Sequence, residues 1–310
     1  MHVLVTGVGG FIGSHLARYL LAQGDRVTGT YLDTPPDLPG VDLHDVDLLD
    51  RDGLERLVRT ADPDAVIGLA GLSHVGDSWK RMADYFQVNV LGTENLLAAA
   101  AAAGNRPVVF ASSAEVYGAV PEERQPIREE EPVAPGTPYA LTKAAAERLA
   151  LSKGAVVARS FNMVGPGQAR SFALPAFAEQ LAAIDRGETE PVLRVGNLGA
   201  RRDFVHVDDG AAAYRLLAER GEPGSIYNIA SGRTASISEA LEGLMRVAGL
   251  QVRVEVDPER LRPLDIPLLC GDPGRLLALG WKPGLTLDDA LADLWEETRG
   301  ACPATTATGP

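Results

Sequence analysis

Two short stretches of the sequence carry side chains whose types and spacing suit proton transfer. Tyr139 and Lys143 stand four residues apart in YALTK, which puts them one turn apart on one face of a helix. A phenol has a pKa of about 10, and a nearby ammonium favours the phenolate, so we expect Lys143 to lower the pKa of Tyr139. In SSAEVYG, Ser113 can hydrogen-bond the substrate oxygen that Tyr139 protonates. These three residues predict a site that interconverts a carbonyl and an alcohol.

The elements that must position these side chains alternate along the chain. Short β-branched runs such as HVLVTG and PVVFASS alternate with helical patterns such as FIGSHLARYLLAQG and TPYALTKAAAERLALS. This alternation predicts an α/β fold, a Rossmann-type doubly wound parallel sheet with helices on both faces. Ligands bind such sheets at the carboxyl ends of the strands, which is where SSAEVYG stands.

A glycine-rich loop joins the first strand to the first helix. TGVGGFIG places Gly7, Gly10 and Gly13 three residues apart, between a strand and a helix. Glycines at these positions allow a tight turn and a close approach of the backbone, so that a pyrophosphate can lie on the helix N-terminus. The loop therefore predicts dinucleotide binding, with Phe11 and Ile12 at the start of the helix among the contacts.

The end of the second strand leaves the choice between NAD and NADP open. An acid holds the ribose hydroxyls there in NAD sites, but Tyr31 occupies the position and Asp33 comes two residues later. No arginine or lysine stands nearby to bind a 2′-phosphate. Asp47 and Leu48, after the third strand, are placed to contact adenine, although Asp47 also suits a helix cap. The predicted contacts of NAD(P)(H) are Gly7, Gly10, Phe11, Ile12, Gly13, Tyr31, Asp47, Leu48, Leu69, Ala70, Tyr139 and Lys143.

Composition and charge limit the classes of partner. The 310 residues include 29 basic and 42 acidic side chains, which gives a net charge of −13. Because the phosphates of nucleic acids need a basic surface, we expect no nucleic-acid partner. Neither a signal peptide nor an uncharged apolar stretch of membrane-spanning length is present, so we expect a cytoplasmic protein without a membrane partner. Cys270 and Cys302 have no metal-binding or redox spacing, which predicts neither a metal site nor a disulfide.

In combination, these stretches resemble the extended short-chain dehydrogenases/reductases of the nucleotide-sugar epimerase/dehydratase group, over residues 1 to about 300. The matching stretches, in chain order, are TGVGGFIGSH, VDLLDRDGL, SHVGDS, VNVLGTENLL, SSAEVYG, PYALTKAAAE, RSFNMVGPGQ, RRDFVHVDD, YNIASGR and RPLDIP. The resemblance implies an enzyme that uses NAD(P)(H) and a nucleotide sugar.

The resemblance also implies roles for residues outside the acid–base stretches. It places Asn89 near the nicotinamide side of the cofactor. It implies that Asn162, Arg202 and Arg262 hold the substrate diphosphate, and guanidinium groups would explain how an acidic protein binds an anion. His74 either faces the sugar or is a structural histidine.

The predicted division of the chain follows from a change of pattern after the sixth strand. Turn residues and mixed helices and strands replace the regular alternation there, and the tail PATTATGP has the composition of a disordered segment. We expect an NAD(P)-binding Rossmann domain, a nucleotide-sugar-binding lobe and a disordered tail. Their respective ranges are 1–163 plus about 205–230, about 164–204 plus 231–300, and 301–310.

Three positions discriminate between members of the group. In its dehydratases an acid tends to precede the glutamate, but Ala114 precedes Glu115 here, and alanine cannot protonate a leaving hydroxyl. Simple 4-epimerases usually have a small or hydroxyl residue where Glu115 stands. Reductase–epimerases need an extra cysteine or histidine base, and Ala114 and Met163 occupy those positions. Double epimerisation is therefore not expected.

Three longer stretches are most similar to GDP-4-dehydro-6-deoxy-D-mannose reductases, and they also resemble GDP-mannose 4,6-dehydratases: NMVGPGQARSFALPAFAEQ, EPVLRVGNLGARRDF and DPERLRPLDIPLLCGD. We predict NAD(P)H-dependent reduction of the C4 ketone of GDP-4-dehydro-6-deoxy-D-mannose to GDP-D-rhamnose. Val195 and Asn197 would lie near the base, and Glu115 would contact the sugar or serve as a turn residue. A GDP-mannose 4,6-dehydratase or an NDP-sugar 4-epimerase with tightly bound NAD(P) are the alternatives. A non-catalytic dinucleotide-sensing regulator would lack Tyr139 or Lys143, and both are present.

Two of the expected helices, at about 82–104 and 138–152, have alanine-rich faces. Small side chains let helices approach closely. We therefore predict a homodimer in which these helices from both subunits form a four-helix interface.

Overall fold

The computed structural model describes residues 1–260 and 266–300. Arg262 and the tail predicted to be disordered, 301–310, lie outside the described residues. The strands are β1 (His2–Thr6), β2 (Arg26–Tyr31), β3 (Asp42–Asp45), β4 (Ala65–Gly68), β5 (Val108–Ser113), β6 (Val156–Ser160), β7 (Asn162–Val164), β8 (Val192–Val195), β9 (Arg201–His206), β10 (Ile226–Ile229), β11 (Thr234–Ser236), β12 (Arg253–Val256) and β13 (Leu268–Leu269).

The α-helices are α1 (Phe11–Ala22), α2 (Arg51–Ala61), α3 (Val75–Ser78), α4 (Met82–Phe86), α5 (Gly92–Ala102), α6 (Pro138–Ser152), α7 (Ala173–Asp185), α8 (Val207–Arg220), α9 (Ile237–Ala248), α10 (Gly274–Leu279) and α11 (Leu287–Gly300). A π-helical turn, Gln87–Leu91, joins α4 to α5 where the sequence predicts one continuous helix. Within the described part of the chain, no helix has the length and apolar character needed to cross a lipid bilayer.

The large sheet has seven strands in the order β10-β6-β5-β4-β1-β2-β3, and every neighbouring pair is parallel. The register sets Val5 of β1 between Gly29 of β2 and Ile67 of β4. The chain order of the strands reverses between β1 and β4. The crevice outside the carboxyl ends of these two strands is therefore the ligand position expected in such a sheet. The predicted Rossmann-type doubly wound parallel sheet is confirmed.

Helices cover both faces of this sheet because their apolar residues recur at helical spacing. On one face, Leu16 of α1 and Leu217 of α8 are buried in the same core cluster as β1. On the other face, α2, α5 and α6 contribute Leu54, Leu97 and Ala146. The residues of α6 that carry the predicted chemistry are thus held on a helix whose buried face packs on β5 and β6.

A second lobe is built on smaller sheets. β7 leaves the large sheet and pairs with β9, β9 also pairs with β11 and β13, and β8 pairs with β12. Helices α7, α9 and α11 bury Leu181, Leu244 and Trp295 in its core. The two lobes share elements. β9 pairs with β7, β11 and β13, yet its Val205 is buried in the core of the first domain, and α10 packs on that same core through Leu276.

Candidate active site

The carboxyl end of β5 and the first turns of α6 bring the predicted acid–base residues together. Thr137 caps α6, its hydroxyl accepting from the Ala140 N–H at 3.1 Å, and Pro138 takes the first helical position as predicted. Tyr139 hydrogen-bonds to Ser113 through their side chains. The Glu115 N–H also donates to the Ser113 hydroxyl oxygen, at 3.2 Å. Ser113 therefore lies between the phenol and the backbone of the loop that carries Glu115.

The pKa of Tyr139 differs from the expectation. Burial raises the pKa of Tyr139 to about 12, the hydrogen bond from Ser113 opposes that rise, and the charge of Glu115 adds to it. Lys143 is not among the groups that shift it. The prediction that Lys143 lowers this pKa is wrong for the protein's own groups, because desolvation of the buried phenol is the dominant cause and raises the pKa. Tyr139 is consequently a protonated phenol at neutral pH.

Lys143 lies one turn further along α6, and its ammonium is 4.6 Å from the centre of the Phe110 ring. Burial lowers the pKa of Lys143 to about 8, and the nearby carboxylate of Glu147 opposes this. An ammonium carries three donors and suits the vicinal hydroxyls of a ribose.

The glycine loop has the shape that a pyrophosphate requires. Gly7 has a φ of +75°, and a Cβ there would lie 2.9 Å from the Cα of Ala70. A Cβ on Gly13 would collide with the carbonyl oxygen of Gly7. The N–H groups of Gly7 and Val8 both donate to the carbonyl of Thr30 at 3.0 Å, which fixes the loop against the end of β2. Gly10 is the N-cap of α1 and supplies no side-chain cap, so this helix end fits an anion.

The other predicted cofactor residues surround this crevice. Phe11 and Ile12 begin α1, Tyr31 ends β2, and Leu69 and Ala70 follow β4, all half-buried.

Asp47 is not a helix cap. Its carboxylate accepts from the Leu49 N–H at 2.9 Å, whereas Asp50 caps α2 by accepting from the Gly53 N–H at 2.9 Å. Leu48 is buried against α5, so its side chain is part of the core of the first domain.

Asn89 lies in the π-helical turn, an element that is frequent at functional sites. Its carbonyl oxygen accepts from the Leu72 N–H at 2.8 Å, and its amide donates to the Leu72 carbonyl at 3.0 Å and to Thr142 at 3.1 Å. Asn89 thus joins the loop after β4 to α6, next to Lys143. These hydrogen bonds hold the loop after β4 against α6, and they occupy the side-chain amide of Asn89.

His74 makes several contacts within the protein. It is the N-cap of α3, and its ring accepts from the Asp77 N–H at 3.3 Å. Its ring stands edge-on to Phe172 at 6.0 Å, and its carbonyl accepts from the Tyr85 hydroxyl at 2.6 Å. Tyr85 in turn stands edge-on to Tyr139 at 6.4 Å, so His74 supports the wall of the site.

Two of the predicted diphosphate residues lie where the chain passes into the second lobe. Asn162 begins β7 with an exposed side chain. Arg202 is buried, and its guanidinium donates to the carbonyls of Arg201 at 2.9 Å and Ile266 at 2.6 Å. The third predicted residue, Arg262, lies outside the described ranges.

The residues predicted near the base have different surroundings. Val195 is fully buried in the core of the second lobe, so its side chain does not face a ligand. The exposed neighbour on the same strand, Arg194, lines a cleft with Gln180 and Arg260. The Asn197 side chain accepts from the Gly199 N–H at 2.9 Å, which shapes the turn after β8.

Sequence reasoning missed a group of buried polar residues directly beneath the site. Glu147 on α6 contacts Arg159 on β6, and the Tyr117 hydroxyl donates to the Asn228 amide oxygen at 2.7 Å. Two signals could have revealed them. Glu147 stands four residues after Lys143 on the same helical face, and Arg159 interrupts an otherwise apolar strand.

Comparisons with known proteins agree with this architecture. Residues 4–294 match the family described as GDP-mannose 4,6 dehydratase. GDP-6-deoxy-D-mannose reductase from Pseudomonas aeruginosa is 39% identical over 95% of this chain and 97% of its own length. GDP-mannose 4,6-dehydratase from Vibrio cholerae is 29% identical over 94% of this chain and 92% of its own length.

Solved structures extend the comparison. The structure of RMD from Pseudomonas aeruginosa complexed with NADPH superposes with a TM-score of 0.84 and 36% identity, covering 97% of this chain and 99% of that one. UDP-glucose 4-epimerase from Thermus thermophilus, in complex with NAD, gives a TM-score of 0.86 and 34% identity over 97% and 100% of the two chains. The family match and the identity extend over almost the whole sequence, and the chain therefore belongs to the GDP-mannose 4,6-dehydratase family of extended short-chain dehydrogenases/reductases.

Proposed function

We propose that this protein is an NAD(P)H-dependent reductase acting on the C4 ketone of a nucleotide-linked 4-keto-6-deoxyhexose. The best candidate reaction converts GDP-4-dehydro-6-deoxy-D-mannose to GDP-D-rhamnose. One observation carries the proposal: Tyr139, protonated and hydrogen-bonded to Ser113, lies one turn of α6 before the buried Lys143. The name of the Pseudomonas relative, a GDP-6-deoxy-D-mannose reductase, supports the choice of substrate.

Each residue has a part in this reaction. The reduced nicotinamide, when bound, supplies the hydride to C4. Ser113 hydrogen-bonds the ketone oxygen and orients it toward Tyr139. Tyr139 then gives its proton to O4 as negative charge develops there, and Lys143 stabilises the resulting phenolate and holds the nicotinamide ribose. Gly7, Gly10 and Gly13 receive the pyrophosphate, with the contacts named above along the crevice.

The protonation state of Tyr139 favours the reductive direction. A pKa of about 12 keeps the phenol protonated at neutral pH, which is the state that donates a proton to a reduced ketone.

The residue before Glu115 favours reduction over dehydration. Ala114 is buried and offers no proton donor to a leaving hydroxyl. The charge of Glu115 acts on Tyr139, so this carboxylate stands on the side of the site where the phenol lies. We assign it a substrate contact rather than the role of a base.

Substrate binding would use the junction between the two lobes. Asn162, Arg202 and Arg262 are proposed to hold the diphosphate, since guanidinium groups form paired hydrogen bonds with phosphate oxygens. Asn197 and the backbone of Val195 would lie near the base, and His74 would border the sugar through the wall that it shares with Tyr85.

We further propose that the enzyme is a cytoplasmic homodimer. The expected interface helices expose large apolar side chains, Met82, Phe86 and Leu91 on one side and Leu141 on α6. A second copy would cover them in a four-helix arrangement. Light scattering should give the mass of two chains, and Leu141→Asp should give one. A single-chain mass for the unaltered protein would contradict the proposal.

The test of the reaction is a product assay. Purified protein is incubated with GDP-4-keto-6-deoxymannose and either NADH or NADPH, with absorbance followed at the nicotinamide band and the sugar identified by NMR. We expect oxidation of one reduced cofactor and a 6-deoxyhexose product. If neither cofactor is consumed while GDP-mannose or a UDP-sugar is converted without added cofactor, the protein is a dehydratase or an epimerase instead.

A further inference from the structure

A buried carboxylate that the proposed reaction does not use lies directly beneath the catalytic residues. Glu147 is 2% exposed and follows Lys143 by one turn of α6. The hydroxyl of Ser112, the neighbour of Ser113, donates to Glu147 Oε2 at 2.8 Å. Arg159 Nε donates to the same oxygen at 3.1 Å, and Arg159 Nη2 donates to Oε1. Glu147 thus links the helix that carries Tyr139 to two strands.

Arg159 extends the contact to the rest of the site. It is 3% exposed, its Nη1 donates to the carbonyl of Glu129 at 3.1 Å, and its guanidinium lies 4.6 Å from the centre of the Tyr117 ring. It stands on β6, three residues before Asn162. Glu147 and Arg159 therefore connect three elements of the site: the end of β5, α6 and the end of β6.

Stability alone is a weak reason for such a pair. Removing two charges from water costs several kcal/mol per ion, and well-packed apolar residues in their place are often as stable or more so. A pair that joins the three catalytic segments has a second consequence, since a displacement of about 1 Å at a reacting group can slow catalysis about 100-fold.

We propose that Glu147 and Arg159 are positioning residues, whose ion pair holds α6 in register with β5 and β6 and keeps the Lys143 side chain charged. The part that concerns reaction rate rests on the proposed function, whereas the charge of Lys143 can be measured without any substrate.

The electrostatics agree with the geometry. Burial lowers the pKa of Lys143 to about 8, and Glu147 is the charged group that opposes this. Other charged or titratable groups stand on the elements that pack against α6, namely Asp77, Asp84, Tyr85, Glu94, Glu115, Tyr117 and Arg159. None of these seven is among the groups that shift the pKa of Lys143. Without Glu147, burial would act unopposed, and Lys143 would lose its proton at a lower pH.

The test variant is Glu147→Gln with Arg159→Met. Changing Glu147 alone would leave the Arg159 cation buried without its partner, and such a change can prevent folding. The double change removes both charges while the glutamine still accepts from Ser112. The matched control is Asp25→Asn with Arg215→Met. It removes a partly buried ion pair, Arg215 Nε to Asp25 Oδ2 at 2.7 Å, which joins α8 to the residue before β2, away from the catalytic residues. Asp25 also accepts from the N-terminal ammonium at 2.7 Å, which compensates its charge in part.

The charge is read by NMR. The chain has four lysines, Lys80, Lys143, Lys153 and Lys282, so labelling the lysine Cε gives a small set of signals. We expect the Lys143 signal to titrate about one pH unit or more lower in the Glu147→Gln/Arg159→Met variant, with the other three unchanged. The Asp25→Asn/Arg215→Met control should leave all four signals in place. An unchanged Lys143 titration would overturn the proposal, whatever the substrate proves to be.

The positioning role is tested by steady-state kinetics in the reductase assay. The variant should keep its KM within about threefold, lose about 10- to 100-fold in kcat, and lose activity at lower pH on the alkaline side of its profile. The control should keep its kcat and pH profile. Equal losses in variant and control would assign the pair a merely structural role and overturn the proposal. A wild-type protein without reductase activity would contradict the proposed function instead, and the NMR titration would still stand as a test.

Discussion

Two buried carboxylates, Glu147 in the first domain and Asp203 in the second lobe, are compensated in different ways. In the first domain, Glu147 faces the cation of Arg159 as well as the hydroxyl of Ser112. In the second lobe, the donors to Asp203 in the described residues are neutral. They are the Ser231 N–H at 2.7 Å, the Ser231 hydroxyl at 2.6 Å, the Gly232 N–H at 3.0 Å and the Gly271 N–H at 3.2 Å.

The difference shows what each carboxylate does for the protein. Asp203 ties β9 to the turn after β10 and to the segment at Gly271, so it organises the loops of the second lobe. Dipoles compensate its charge incompletely, and burial raises the pKa of Asp203 to about 6. Glu147 is paired with a full charge and stands beside Lys143. The buried charge near the proposed reaction is thus held by an ion pair, and the buried charge that shapes the second lobe responds to pH.

The largest expected effect is a loss of kcat that arises from a change in the first domain and not from one in the second lobe. Tyr139→Phe removes the proton donor while keeping the ring, so kcat should fall about 1000-fold with little change in cofactor affinity or thermal unfolding. Steady-state kinetics and a fluorescence titration with reduced cofactor measure these quantities. Ser231→Ala, in the second lobe, is the control that should change stability more than kcat. A Tyr139→Phe variant with near-normal kcat would assign the proton transfer to another group.

The next largest effect tests the pH response of Asp203. Its pKa in the folded protein is raised from 3.8 to about 6, so the folded state binds a proton that the unfolded state has released between those values. The free energy of unfolding should therefore fall as pH rises from about 4 to about 6, by about 2 kcal/mol from this group. Denaturant unfolding of the wild type and of Asp203→Asn across this range isolates the contribution. Parallel curves for the two proteins would refute it.

A smaller effect concerns the glycine loop. Gly13→Ala places a methyl group against the carbonyl oxygen of Gly7, where backbone must move. The distorted loop should weaken cofactor binding by about 10- to 100-fold and cost about 2 kcal/mol of stability. Gly284→Ala is the control, since a Cβ there meets nothing within 4 Å and φ is not positive. Equal cofactor affinity in both variants would show that the glycine loop is not part of the cofactor-binding site.

The smallest effect compares the two carboxylates directly. Ser231→Ala and Ser112→Ala each remove one hydroxyl that donates to a buried carboxylate, at 2.6 and 2.8 Å. Asp203 has no cation to compensate the loss, so Ser231→Ala should cost about 2 kcal/mol and raise the pKa of Asp203 further. Ser112→Ala should cost about 1 kcal/mol, because Arg159 still neutralises Glu147. Denaturant unfolding at pH 7 measures both, and the reverse order would contradict the distinction between the two sites.

Local sequence determined the parts of this protein that depend on neighbours in the chain. The glycine spacing of the first loop, the one-turn separation of Tyr139 and Lys143, the cap at Thr137 and the alternation of strands and helices all follow from contacts within a few residues. These features were sufficient to predict the Rossmann-type sheet and the position of the acid–base residues at the end of β5.

Only the tertiary structure decided the quantities that depend on burial and on distant partners. The pKa of Tyr139 is raised because the folded chain desolvates the phenol, which no local spacing reveals. Val195 is a core residue because β8 packs inside the second lobe. Arg202, on β9, donates to the carbonyl of Ile266, a residue that is distant in the sequence. The contact between Glu147 and Arg159 requires α6 to pack on β6. Desolvation and charge pairing are set by the enclosure of the whole fold, and for that reason sequence alone did not reveal them.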